Sequence, residues 1–362
     1  MIKGGVYTMK ALILCGGMGS RLWPVTLSIQ KQLIPIANKP ILFYIIDSLV
    51  EANIVDIGIL SNQKEEIFNR ALSFYEKREK IKYTYIDQDK PIGLANAVVS
   101  ARGFIGDEKF IMILGDNIYQ FSLKKFLDKF NSEKVNCSIL LKEVENPSQF
   151  GVADVLNGKI VDLVEKPKNP PTNLAITGIY AFDSNIFKAC ENIKPSWRGE
   201  YEITDAIKWL LDNNYSVTYD ILEGEWKDLG GPEDILKENM NKLIDIENNV
   251  SGEIISTNIT GKIVLGKDSK IINSIIRGPV SIGDGVMIQN SYIGPYTSLG
   301  NNVSISNCQI ENSIILDESN ISNIDSIIDS SIVEKGSVIK KSTQLRKVNS
   351  FLLAKNSLVI VD

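Results

Sequence analysis

The sequence predicts an α/β domain with a mostly parallel sheet, followed by a solenoid of short parallel strands. Three observations predict it. Apolar strand-like runs alternate with amphipathic helical stretches over the first two-thirds, a polar stretch follows near residue 247, and isoleucines then recur every 17 residues. With 362 residues there is room for two such domains, expected at 1–247 and 248–362.

The elements follow in order. Residues 11–14 are apolar and read as the first strand. Pro40 stands where a helix would start, and Ile41, Leu42, Ile45, Ile46, Leu49 and Val50 form one apolar stripe at i, i+4 spacing. Residues 57–60 give a second strand, 65–78 a helix and 82–86 a third strand. Residues 110–114 are wholly apolar and end in Gly115-Asp116-Asn117. Ligands of open parallel sheets sit beyond the carboxyl ends of the strands, so Asp116 is well placed for a site. A closing helix is expected at 232–246 and a polar linker at 247–252.

Beyond the linker, Ile259, Ile276, Ile293, Ile310 and Ile327 are spaced 17 apart. Leu265, Ile282, Leu299, Leu316 and Val333 repeat the step six residues later, and Ile271, Ile288, Ile305 and Ile339 form a third track that Ser322 interrupts. Asn273, Asn290 and Asn307 share the period and predict a stacked amide ladder at one corner. Three short faces per 17 residues describe a β-helix of the hexapeptide type.

Composition narrows the chemistry. The content is 44% hydrophobic and 23% charged, as in ordinary soluble globular proteins, and a net charge of −5 supplies no basic field for nucleic acid. No apolar run approaches the roughly 18 residues that span a membrane, and the N-terminus has no secretory apolar region, so a cytoplasmic address is expected. Cys15, Cys137, Cys190 and Cys308 are scattered without metal-like pairing and suit a reducing compartment. Residues 1–8 precede a second methionine, Met9, and read as a short disordered extension. There is no histidine, which excludes histidine bases, histidine metal sites and histidine-based triads. Chemistry must run on carboxylates, lysines, arginines and metal ions.

The first strand opens into Cys15-Gly16-Gly17-Met18-Gly19-Ser20-Arg21-Leu22-Trp23-Pro24, with Lys31 and Pro35 downstream. Glycines let a backbone turn sharply and bring its N–H groups to an anion, while Arg21 and Lys31 add a planar fork and a point charge. The stretch is neither a Walker A loop nor the dinucleotide fingerprint, and a glycine-rich turn after a strand is also a structural commonplace. Gln88 and Gly93 follow the third strand; an amide can pair with a pyrimidine edge, although this loop equally reads as a polar helix cap. Asp116 and Asp228 are each ordinary turn residues when taken alone, and Glu165-Lys166 at the end of a strand over 159–164 is ordinarily solvated.

Taken together, Gly16 through Pro24, Lys31-Gln32-Leu33-Ile34-Pro35 and Lys39-Pro40 resemble the pattern of the sugar-1-phosphate nucleotidylyltransferases, with Ser20 in place of the usual threonine. The resemblance runs over about residues 10–240. Gln88 with Gly93-Leu94-Ala95-Asn96-Ala97 is similar to the thymidylyltransferases of that family, which use the glutamine on the base, and argues against guanine. Gly115-Asp116-Asn117 and Trp226-Lys227-Asp228-Leu229-Gly230 match the segments whose aspartates hold Mg²⁺, with Leu229 where Thr or Val is frequent. Segments around Gly151, Ile176 and Arg198 match the sugar pocket, with Phe150 in place of a common tyrosine.

The resemblance implies a Rossmann-like nucleotidyltransferase domain with a mostly parallel mixed sheet and a C-terminal left-handed β-helix. It implies transfer from dTTP, with UTP the near alternative, to a sugar 1-phosphate, with glucose 1-phosphate the expected acceptor. Gly16, Gly17, Gly19, Ser20, Arg21, Gln88 and Gly93 would bind nucleotide, and Asp116 and Asp228 the Mg²⁺. Asn117, Gly151, Glu165, Lys166, Ile176 and Arg198 would bind the sugar phosphate, with Arg21, Lys31 and Lys166 acting in catalysis. A sugar N-acetyltransferase activity, which some β-helix relatives add, is not expected without a histidine. Self-association through the β-helix is expected; a non-catalytic nucleotide-sugar-binding protein is the competing class.

Overall fold

The computed structural model describes residues 9–17, 19–79 and 81–341; the expected extension at 1–8 lies outside the described residues. The chain forms two compact units. The first combines the described residues before Gly19 with those of Leu42–Asp228, and the second combines Gly19–Ile41 with the described residues from Leu229 onward. These units cut across the 247/248 division, which remains our proposal for where the strand stack begins.

In the first unit, a nine-stranded mixed sheet carries the core. Its parallel half has Lys10–Leu14 at the centre, with Asp56–Ser61 and then Lys82–Asp87 on one side and Phe110–Leu114 on the other. Placing successive strands on both sides of the first makes a topological switch point at the carboxyl ends of Lys10–Leu14 and Phe110–Leu114. The apolar runs explain the burial: Ala11, Leu12 and Ile13 are fully buried, as are Phe110, Ile111, Met112 and Ile113. Leu174–Phe182 joins Phe110–Leu114 antiparallel and carries the sheet on to Cys137–Glu143. A hairpin of Gly151–Leu156 and Lys159–Glu165 closes through Asn157-Gly158, both with positive φ, as a tight two-residue turn requires. That register sets Gly151 opposite Glu165.

In the second unit, three parallel sheets of six, six and five strands stack in regular order, the arrangement of a left-handed β-helix. Ile271, Ile276, Ile282, Ile288, Ile293, Leu299, Ile305 and Ile310 fill its interior. The last coils depart from strict 17-residue spacing. Ile310 pairs with Ile328 rather than Ile327, Leu299 with Ile315 rather than Leu316, and Ile305 with Ile321 rather than Ser322. The third track is therefore unbroken: Ile305 to Ile321 is one residue shorter than the 17-residue step, and Ile321 to Ile339 is one residue longer. The amide ladder is present, with Asn273 donating to Asn290 at 2.7 Å and Asn307 to Asn323 at 2.7 Å, all four left-handed. The closing helix is Pro232–Ile244, two residues shorter than expected, and the supposed linker contains the first rung, Asn249–Val250. No described helix is long and apolar enough to cross a membrane.

Candidate active site

Strand ends build the first unit's site. Past Leu14 the ladder continues, with Cys15 N donating to Leu60 O at 2.7 Å and Gly115 N to Leu14 O at 2.9 Å. Gly16 and Gly17 thus leave the sheet beside Gly115-Asp116. Gln88, directly after Lys82–Asp87, is tied in by its own N–H to Ser61 O at 3.0 Å. Its side chain is buried, donates to Asn96 Oδ1 at 3.3 Å, and lies so close to Gly16 that a Cβ there would sit 2.9 Å from Gln88 Oε1. The structure therefore brings Gly16 and Gln88 together. Gly93, at φ 121°, serves a different approach from the one expected: a Cβ there would lie 2.3 Å from Tyr201 O. Its neighbours hold that contact, Ala95 N donating to Tyr201 O and Tyr201 N to Ile92 O.

A short antiparallel ladder, Asn117–Tyr119 against Trp226–Asp228, sets Asn117 opposite Asp228 and so gathers Asp116 and Asp228 at one end. Asn117 is almost fully buried, accepts from Trp226 Nε1 at 2.7 Å and donates to Asp116 Oδ1 at 3.2 Å. Asn117 thereby orients a carboxylate. Trp226 also donates to Thr177 O at 3.0 Å, where a register shift between Ile176 and Tyr180 frees that carbonyl from the ladder. Burial first, and the Asp116 charge second, push the Cys15 thiol up. Among the described residues no group of three or more Asp, Glu, Cys or His forms a metal cluster. Two carboxylates nonetheless fit Mg²⁺, which usually takes one or two carboxylates and completes its shell with water and substrate phosphates.

A second cluster gathers residues far apart in sequence. A Cβ at Gly151 would lie 2.9 Å from Thr204 Oγ1, 3.0 Å from Glu165 Oε2 and 3.1 Å from Ile176 Cδ1. Thr204 donates to Glu165 Oε2 at 2.6 Å. Arg198 donates to Glu202 at 3.2 Å and Glu200 at 2.9 Å, and stands 3.8 Å from Glu165 Oε1. Burial holds the Glu202 carboxyl above the usual range, against the opposing pull of Ser196 and Arg198. Lys166 follows Glu165 in a left-handed conformation, its N–H donating to Phe150 O. Phe150 packs edge-on to Trp226 at 5.2 Å. The expected residues Gly151, Glu165, Ile176 and Arg198 are thus brought together. Thr204 and Glu202 join them from the segment at 198–205 that the resemblance matched to the sugar pocket, although neither was singled out there, and Trp226 packs against Phe150 beside them.

The remaining expected residues, Gly19, Ser20, Arg21 and Lys31, belong to the second unit. Gly19 is left-handed, its carbonyl accepts from Thr26 Oγ1 at 2.8 Å, and a Cβ on it would crowd Thr26 at 3.0 Å and Lys31 Cβ at 3.4 Å. Ser20–Leu22 and Lys31–Leu33 are single 3₁₀ turns. Lys31 is buried. Arg21 Nη1 lies 2.8 Å from where a Cβ on Gly230 would be, so the guanidinium packs directly on that glycine. The turn after Gly230 is capped by Gly231 N donating to Asp234 Oδ2 at 2.8 Å, which starts the helix Pro232–Ile244.

Residues 10–244 match the nucleotidyl transferase family model. The low-salt glycan biosynthesis nucleotidyltransferase Agl11 of Haloferax volcanii is 48% identical over 240 residues, 66% of this chain and 67% of that protein. The glucose-1-phosphate thymidylyltransferase of Streptomyces antibioticus is 39% identical over 357 residues, 98% of this chain and 100% of that protein. Among solved structures, a Bacillus anthracis protein studied with sucrose as a candidate glucose-1-phosphate thymidylyltransferase aligns with a TM-score of 0.61 at 36% identity, covering 67% of this chain and 97% of its own.

Proposed function

The chain belongs to the nucleotidyl transferase family, and from that premise we propose that it transfers a thymidylyl group from dTTP to glucose 1-phosphate. The carrying observation is the 39% identity to the Streptomyces antibioticus thymidylyltransferase along 98% of this chain, β-helix included. The buried Gln88 amide beside Gly16 supports a pyrimidine reader at the end of the parallel strands.

In this reading an oxygen of the sugar phosphate attacks the α-phosphorus, the bond from that phosphorus to the bridging oxygen breaks, and pyrophosphate leaves. The nucleophile is already an anion, so no base need remove a proton. Catalysis is then positioning and charge neutralisation. Arg21 and Lys31 hold the triphosphate and the departing pyrophosphate, Lys166 aligns the incoming phosphate, and Glu165 accepts a sugar hydroxyl. Asp116 and Asp228 would hold Mg²⁺, with Asn117 orienting Asp116; when bound, the ion neutralises charge on the phosphate oxygens. A cytoplasmic setting and self-association through the β-helix belong to the same proposal; the four cysteines, all buried and free, support a reducing setting.

Pyrophosphate release with glucose 1-phosphate and dTTP, UTP or GTP tests the reading. Turnover is expected with dTTP, and Arg21→Ala should lose about a hundredfold in rate, the cost of roughly 3 kcal/mol of transition-state stabilisation. Preference for UTP would move the assignment to uridylyl transfer, since one methyl contact discriminates weakly. Silence with every nucleotide would favour a binding-only protein.

A further inference from the structure

The β-helix has an outward face that is not free. Ser281 and Ser298 are register partners on neighbouring rungs of one sheet and point away from the core, yet they are only 4% and 1% exposed. What covers them is the stretch that carries Arg21 and Lys31, together with the helix Pro232–Ile244. That stretch ends in a small hairpin, Pro35–Ile36 against Lys39–Pro40, closed at its base by Ile41 N donating to Ile34 O at 3.2 Å. The base follows directly on the Lys31–Leu33 turn. At its tip, Ala37 and Asn38 both have positive φ.

Two asparagines bolt this tip to the rungs. Asn38 Nδ2 donates to Ser281 Oγ at 3.0 Å and to Leu299 O at 2.8 Å. Asn239, fully buried in the helix Pro232–Ile244, accepts from Ala37 N at 2.8 Å and from Ser298 Oγ at 2.7 Å, and donates to Tyr296 O at 3.0 Å. A buried amide in a helix is unfavourable unless its polar atoms are satisfied, and here one amide joins hairpin, helix and rung. Nothing in helix packing calls for it; its partners do.

We propose that Asn38 and Asn239 are positioning residues for the nucleotide half of the reaction. They pin the hairpin tip to the β-helix and so hold the Gly19–Leu33 region, with Arg21 and Lys31, in the shape that grips polyphosphate. The β-helix is then a working part of nucleotide binding rather than an appendage. This rests on the proposed nucleotidyl transfer.

The test uses the full chain. Asn38→Gly removes both hydrogen bonds of the side chain while keeping the left-handed backbone comfortable, and Asn239→Ala removes the buried junction. Amide hydrogen exchange reads the structural part: exchange should accelerate in residues 19–33 and stay unchanged in Phe110–Leu114. Steady-state kinetics read the functional part: the KM for dTTP should rise about tenfold, as loss of one to two hydrogen bonds implies, with the KM for glucose 1-phosphate within about twofold. Unaltered exchange in 19–33 for Asn38→Gly overturns the proposal, and so does an equal rise in both KM values. Should the wild-type chain turn over no nucleotide, the functional reading fails separately. The exchange comparison, repeated with calorimetric titration of dTTP and magnesium, still decides whether the pinning matters.

Discussion

At the scale of the residue, the sugar-binding role proposed for Glu165 leans on the Thr204–Glu165 hydrogen bond. Glu165 faces Arg198 through Oε1 at 3.8 Å and Thr204 through Oε2 at 2.6 Å, so the hydroxyl fixes the rotation of the carboxylate. Thr204→Val keeps the shape and removes the donor. The KM for glucose 1-phosphate should rise about tenfold to a hundredfold, the cost of one hydrogen bond to a charged group. Thr204→Ser should restore it, and the KM for dTTP should not move. Initial rates with each substrate varied in turn check this; a matched rise for both would mean that Thr204 only supports the fold. Glu165 entered the sequence reading only through the family resemblance, because a Glu-Lys pair at a strand end is ordinarily solvated. Thr204 lay in the matched segment at 198–205, but its bond to Glu165 was not legible, because a hydroxyl arriving from 39 residues downstream leaves no local spacing to read. Gly93 shows the same: its presence was legible, its partner was not, since the backbone that demands glycine there belongs to Tyr201.

At the scale of the element, the β-helix was legible down to its asparagine corners, and its last coils were not. A sequence period counts residues, whereas rungs are aligned by hydrogen bonds in space. Between Ile310 and Ile315 the corner holds one residue fewer than the corresponding corner from Ile293 to Leu299. Two of the three tracks hide the change, because Ile314-Ile315-Leu316 and Ile327-Ile328 are apolar in either register, and Ser322 is its one mark in the sequence. The strand Asn320–Ser322 distinguishes the two registers. Ile321 is fully buried between Ile305 and Ile339, so Ile321→Ala should cost about 2–4 kcal/mol in unfolding free energy. Ser322, paired with Ser306 and Lys340, points the other way, and Ser322→Ala should change stability by less than about 0.5 kcal/mol. Urea unfolding of the two variants decides it. A costly Ser322→Ala beside a harmless Ile321→Ala would restore the strict 17-residue register.

At the scale of the whole molecule, the grouping of Gly19–Ile41 with the β-helix was beyond reach of the sequence. Its bonds run from Asn38 to Ser281 and Leu299, more than 240 residues away, and no linear pattern encodes them. The absence of histidine, by contrast, is visible at once and constrains the entire reaction. The thiols cannot substitute as bases near neutrality: burial pushes Cys15, Cys137, Cys190 and Cys308 up, which keeps them protonated. The groups held above the usual carboxylate range, Glu202 and Asp205, are raised by burial rather than poised beside a proton to be removed. A reaction whose nucleophile is a phosphate oxygen needs none of them as a base. The rate at saturating substrates should therefore be flat from about pH 7 to about pH 8.5. The ratio kcat/KM for glucose 1-phosphate should fall only on the acid side, near pH 6, where the phosphate takes up its second proton. Pyrophosphate release measured across pH 5.5–9 at constant ionic strength tests this. A base-dependent limb in kcat between about pH 7 and 8 would mean that some side chain removes a proton in the rate-limiting step, and the account of catalysis by positioning and charge alone would have to be abandoned.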